Sequence, residues 1–268
     1  LTSDYISSWR AGAALRASWQ NVERYCVFVG YPSSGHSLFG ALLDAHPEIM
    51  LSHELDALKY VAARFSRDQL YALILQRGRA FIDSGGIWNK YDYLVEGQWQ
   101  GRFTNLRVIG DKKGGLSALQ IRENPHILKR LQDMVGVPIA VIHMTRNPYD
   151  VMATRFQRHR EGKDFDWYVD RFFEHCEGVQ IARDLVDDDH FYDVRHEDVV
   201  ANTQHEVARA CGFLGLTAPS DYLEACAAKV FESPRRTRAS APWTPELLRR
   251  AESRMESFSF LRGYTYDN

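Results

Sequence analysis

Residues 25–47 read YCVFVGYPSSGHSLFGALLDAHP. The run Cys26-Val27-Phe28-Val29 has the length and β-branched character of a strand. A turn, Gly30-Tyr31-Pro32-Ser33-Ser34-Gly35, follows it. Leu38, Leu42 and Leu43 then share one helical face, and His46-Pro47 ends the helix. Strand, glycine-serine turn and helix together make a cradle for phosphate. The free N–H groups of the first helical turn and the positive end of the helix dipole point at the anion. Gly35 admits close backbone approach, and Ser34 and Ser37 supply hydroxyl donors. A nucleoside-triphosphatase loop would carry a lysine after its second glycine, where this chain has His36. That substitution disfavours ATP or GTP hydrolysis. An ordinary strand–turn–helix link in an α/β domain would read similarly.

Working outward, the chain has 268 residues, 45% hydrophobic and 25% charged, with a formal net charge of −2. This suits a single α/β domain over 1–268, a central parallel sheet flanked by helices. The near-neutral balance excludes a global field for nucleic acid. Cys26, Cys176, Cys211 and Cys226 show no metal spacing and read as reduced, buried thiols. No apolar run reaches membrane-spanning length and residues 1–24 show no signal pattern, so a cytoplasmic protein is expected.

A second strand, Ile49–Ser52, delivers His53 and Glu54 to the carboxyl edge of the sheet, where open parallel sheets bind ligands. Either is a candidate proton acceptor. Histidine has the better ordinary pKa, whereas a glutamate would need raising by burial. Residues 55–107 form an insertion with helices expected over Asp56–Phe65 and Asp68–Gly78. An irregular stretch bearing Trp88, Tyr91, Tyr93, Trp99 and Phe103 follows. Most of these rings should pack under a cover and one or two should touch a ligand. A third strand ends in Lys112-Lys113-Gly114-Gly115, another anion-facing turn or simply a solvated one.

The fourth strand, Pro138–Met144, runs into Thr145-Arg146-Asn147-Pro148. Asn147 suits an N-cap and Pro148 the first helical position. Arg146 thus stands between strand end and helix start, where its fork of donors can meet an anion or a neighbouring carboxylate. Thr154, on the second turn, can face the same spot. Late in the chain, Arg235, Arg236 and Arg238 sit on a Pro/Ser-flanked loop, a mobile phosphate clamp or a solvated basic loop.

With these residues placed, the chain from about Tyr25 to Gly263 resembles the sulfotransferases that use 3′-phosphoadenosine 5′-phosphosulfate (PAPS). Gly30–Ser37 is similar to their 5′-phosphosulfate loop. Met144–Thr154 is similar to their 3′-phosphate strand and helix, with Arg146 and Thr154 at the family spacing of arginine and serine. Tyr192–Leu216 also matches, and LLDAHPEIMLSHE resembles most the tyrosylprotein branch and its bacterial relatives. The resemblance implies that Ser33, Ser34, Gly35, His36, Ser37 and Leu38 hold the 5′ end of the donor. Arg146, Thr154, Arg235, Arg236 and Arg238 would hold the 3′-phosphate, with Phe231 near the adenine. His53 or Glu54 would be the base, and no metal would be needed. The acceptor would be a hydroxyl on a small molecule, glycan or lipid. The family's loop usually has Lys or Arg where this chain has Ser33, and often Trp where it has Leu38. The resemblance therefore implies that Lys112 or Lys113 supplies the missing cation. Two competitors are a PAPS-binding protein with weak or no transfer and, further off, a P-loop kinase, which would need a loop lysine and a magnesium ligand.

Overall fold

The unbroken apolar run within residues 24–30 fixes the centre of the molecule. In this computed structural model, which describes residues 1–158 and 162–268, Arg24–Gly30 is strand β1. Tyr25, Val27 and Val29 enter one hydrophobic core and Cys26 and Phe28 enter the other. A strand with apolar side chains on both faces can only sit mid-sheet under helices on both sides.

Strand β2 is Ile49–His53, and a short antiparallel hairpin follows from β3, Ile87–Trp88, and β4, Tyr91–Asp92. Strands β5, Val108–Lys112, β6, Ile139–Thr145, and β7, Phe191–Arg195, complete the set. The main sheet is parallel, in the order β2-β5-β1-β6-β7. Its neighbours β5 and β6 leave β1 on opposite sides, so the crevice at its carboxyl end is the topological switch point where such sheets take ligands. Gly30, His53, Lys112, Arg146 and His196 all lie at or just beyond strand ends on this edge.

The expected helices are present with shifted ends. The helix expected over Asp68–Gly78 runs Arg67–Asp83, started by a capping box in which Ser66 and Gln69 bond each other's backbone. The irregular aromatic stretch contains the β3–β4 hairpin, which periodicity could not show because each strand has two residues. All four cysteines are buried free thiols. Among the described residues no helix is long and apolar enough to cross a membrane.

Candidate active site

The first anion-facing turn forms as its residues require. Gly30 and Gly35 have φ of 146° and 99°, and Ser33 takes φ 72°. Gly35 caps the helix His36–Asp44, and the amides of Leu38 and Phe39 bond back to its carbonyl. The amides of His36 and Ser37, in the first helical turn, have no acceptor within the helix. Ser34 is buried, and its Oγ meets His36 Nδ1 at 3.0 Å. Burial pushes His36 down to about pH 3, so its ring is neutral. A Cβ at Gly35 would overlap Nδ1 of His196 and lie 3.1 Å from its Cε1, in a left-handed backbone that disfavours side chains. Gly35→Ala is expected to lower stability by about 2 kcal/mol. It should also weaken adenosine 3′,5′-bisphosphate (PAP) binding by about tenfold. Calorimetric titration beside a melting curve checks both.

The second turn faces the first. Asn147 Oδ1 accepts the Tyr149 amide and starts the helix Pro148–Arg158. Arg146 is buried, at 8% exposure. Its Nη1 donates to the Ser33 carbonyl at 3.0 Å and its Nη2 donates to the Arg235 carbonyl. One guanidinium therefore joins the glycine-serine turn to the late arginine loop. Its Nε is buried without a partner. The Thr154 and Thr237 hydroxyls meet at 2.8 Å.

The arginine loop is pinned to the body, which corrects the expectation of a mobile clamp. Asp150 accepts the amides of Thr237 and Arg238 at 2.6 and 2.9 Å and the Arg238 guanidinium at 2.6 Å. Arg238 is buried in that ion pair and also donates to the carbonyls of Thr265, Tyr266 and Asn268. It is a structural strut with its donors spent. Arg236 is exposed, and Arg235 but not Arg236 lines the cavity that Arg146 lines.

Beside the first turn, Lys112 Nζ donates to Ser37 Oγ at 2.9 Å and to Glu54 Oε1 at 3.0 Å, and Lys113 Nζ donates to Glu54 Oε2 at 2.9 Å. Burial lowers Lys112 to about 8, with Glu54 opposing. Burial raises the Glu54 carboxyl, but the two lysines outweigh it and hold the group near 2. The raising by burial that a glutamate base would need is thus outweighed by its ion pairs. His53 is also displaced from its expected part. Its ring stacks on Phe81, 4.0 Å between centroids, and does not line the cavity that Glu54 lines. Burial and then Lys112 lower it to about 3. Of the two base candidates, only Glu54 opens to the site.

Both turns open into one cavity of about 630 Å³. Of the expected donor residues, Ser33, Gly35, His36, Ser37 and Leu38 line one end. Arg146, Thr154, Phe231 and Arg235 line another, with Glu54 and Lys113 in the wall. Ser34, His53 and Lys112 stand behind it. Sequence reasoning missed several wall residues. His196 follows β7, and its buried Nδ1 has no partner. Its position at a strand's carboxyl end was the available signal. Trp88, Tyr91 and Tyr93 all face the cavity, three rings rather than one or two, while Phe103 packs on the core and Trp99 lies against Arg102. The hairpin is tied across the opening by Arg235 to Tyr91 at 2.6 Å and Lys229 to Asp92 at 2.7 Å.

A model described as the sulfotransferase family matches residues 123–220, which contain the Arg146–Thr154 turn and helix. No curated protein matches the chain. Among solved structures, the sulfotransferase domain of the Synechococcus PCC 7002 olefin synthase is 18% identical, with a TM-score of 0.51 over 85% of this chain and 83% of that one. The sulfotransferase domain from the curacin biosynthetic pathway is 15% identical, with a TM-score of 0.52 over 90% and 99%. Sulfotransferase STF1 of Mycobacterium tuberculosis H37Rv is 15% identical, with a TM-score of 0.52 over 94% and 81%. At such identities the likeness is one of fold. The chain thus shares the fold of sulfotransferases and is similar in sequence to their family over 123–220.

Proposed function

We propose that the protein transfers a sulfuryl group from PAPS to an acceptor hydroxyl and releases PAP. The observation that carries this reading is the single cavity entered by both anion-facing turns, with Arg146 bridging them. The wall residues fit the donor. Gly35 lets the His196 ring pack against bare backbone at the turn, and the unpartnered Arg146 Nε and His196 Nδ1 belong to residues of that wall. The amides of His36 and Ser37 would take the 5′-phosphosulfate. Arg146, Thr154 and Arg235 would take the 3′-phosphate, and Phe231 would lie against the adenine.

In the transfer, the acceptor oxygen bonds to sulfur as the bond from sulfur to the bridging oxygen breaks. PAP leaves with the electron pair, and the acceptor proton passes to Glu54. A carboxylate held near 2 is a weak base. It suffices because in a loose transition state the proton is lost late, once the attacking oxygen has become acidic. Positive charge at Lys112 and Lys113 meets the charge growing on the bridging oxygen and replaces the cation that Ser33 does not provide.

The test is transfer of labelled sulfate from PAPS to pools of hydroxyl acceptors, with PAP affinity measured in parallel. PAP binding without transfer to any pool would favour the non-catalytic reading. Within an active protein, Glu54→Gln should cut kcat about 10²-fold with PAP affinity preserved. His53→Ala should cost only a few-fold, through packing against Phe81. A reversed order of the two would remove Glu54 as the base.

A further inference from the structure

The loop after β2 carries Glu54 in a backbone that side chains disfavour. Glu54 and Asp56 take φ of 59° and 65°, in the left-handed region that glycine fills at least cost. The loop joins His53, at the end of β2, to the helix Ala57–Ala62. A carboxylate on the neighbouring strand holds it. Asp111 is only 4% exposed. Its Oδ1 accepts the Ser52 hydroxyl at 2.8 Å and the Leu55 amide at 2.9 Å, and its Oδ2 accepts the Ala57 amide at 2.9 Å. Burying a carboxylate is costly unless hydrogen bonds replace its water, and here two amides and a hydroxyl do so. Asparagine has one acceptor oxygen and would turn an NH2 group toward one of those amides.

We infer that Asp111 is the positioning residue for Glu54: it grips the loop on both sides of Asp56 and so keeps the Glu54 carboxylate at the cavity wall. The inference rests on the proposed transfer, with Glu54 as base, and deepens it. Strand register carries it. Across β2 and β5, Ser52 pairs with Asp111 and His53 with Lys112. Successive residues of a strand point to opposite faces. Asp111 therefore takes the backbone of the loop, while Lys112 takes the Glu54 side chain, Nζ to Oε1 at 3.0 Å. Lys113 bonds Oε2 at 2.9 Å. Three consecutive residues thus hold the loop and both carboxylate oxygens. The lysines set the charge of Glu54 rather than its place, because their flexible stems can follow a carboxylate that moves. Arg77, which donates to the His53 carbonyl at 3.1 Å, holds only the near end of the loop. A misplacement of about 1 Å at a reacting group costs on the order of 10²-fold in rate, so the grip of Asp111 is worth that much to the proton transfer.

Asp111→Asn should lower kcat about 30- to 100-fold and leave PAP affinity within about twofold. In a Glu54→Gln background the same change should cost less than about threefold, because no base is left to misplace. Carboxyl-13C labelling of glutamate gives a readout that needs no turnover, with the Glu54 signal assigned by its loss in Glu54→Gln. In the parent protein the two lysines hold Glu54 near 2, so at pH 4 its signal should be that of a carboxylate. In Asp111→Asn it should titrate near the ordinary value of about 4.3. Loss of the Asp111 charge alone would move Glu54 further down, so a rise reports displacement. Ser52→Ala removes one bond and leaves both amides held. It should lower kcat about three- to fivefold, only where Glu54 is present, and it serves if Asp111→Asn does not fold. Equal losses with and without Glu54, or a Glu54 titration that Asp111→Asn does not raise, overturns the inference. A parent protein that transfers sulfate to no acceptor is a different result. It removes the proposed function, while the Glu54 titration still decides whether Asp111 holds that carboxylate in place.

Discussion

Arg146→Ala is expected to weaken PAP binding by about 10²- to 10³-fold, some 3–4 kcal/mol at two charge-assisted contacts. Two effects combine. The guanidinium is a buried cation held in place by two carbonyls, and Nη1 and Nη2 each keep a second hydrogen, so a phosphate meets donors already in position. The same group bonds the carbonyls of Ser33 and Arg235, holding the glycine-serine turn and the late loop at their mutual distance. Alanine removes the charge and the tie together. Lysine retains charge but lacks the planar fork that reaches both carbonyls, so Arg146→Lys should recover only about tenfold. AMP separates the contributions because it lacks the 3′-phosphate. Its affinity should fall much less than that of PAP, and the double-mutant difference reports the phosphate contact alone. An Arg146→Ala protein that binds PAP within about threefold of the parent would refute the assignment of the 3′ site.

What the sequence disclosed follows from range. The continuous apolar run of residues 26–29 and the strand endings at Lys112, Arg146 and His53 are local, and they suffice for a parallel sheet with its chemistry on one edge. Arg146 was legible because strand end, Asn147 cap and Pro148 start are consecutive residues. The fate of Arg238 was not, since it depends on Asp150, 88 positions away, which shares a helix face with Thr154. The same holds for His53. A histidine after a strand reads as chemistry until the Phe81 ring, carried by the helix Arg67–Asp83, is found stacked against it. His196 entered the site by packing beside Gly35, a contact between residues 161 positions apart, which no spacing rule anticipates.

Lys112→Met is expected to reduce kcat by about 10³-fold while changing KM for PAPS only a few-fold. In the proposed transfer Lys112 would replace the missing loop cation, reaching the turn from behind through Ser37. Its ammonium has three donors, of which Ser37 and Glu54 take two, leaving one for the bridging oxygen beside Ser37. Charge there strengthens only as the bond to sulfur breaks, so the loss falls on kcat rather than on ground-state binding. Lys113 is the comparison. It borders the cavity but is tied through Nζ to the other Glu54 oxygen, so Lys113→Met should cost about tenfold less. Burial, opposed by Glu54, sets the Lys112 pKa near 8. In the ligand-free protein the cation is therefore present below that pH and lost above it, and kcat/KM should decline as pH rises through about 8. In Lys112→Met the alkaline decline should vanish, leaving a low, flat profile. If the parent enzyme keeps its rate to pH 10, or if Lys113→Met proves the more damaging change, then Lys112 merely positions Glu54 and Ser37 and the charge on the bridging oxygen is met by Lys113.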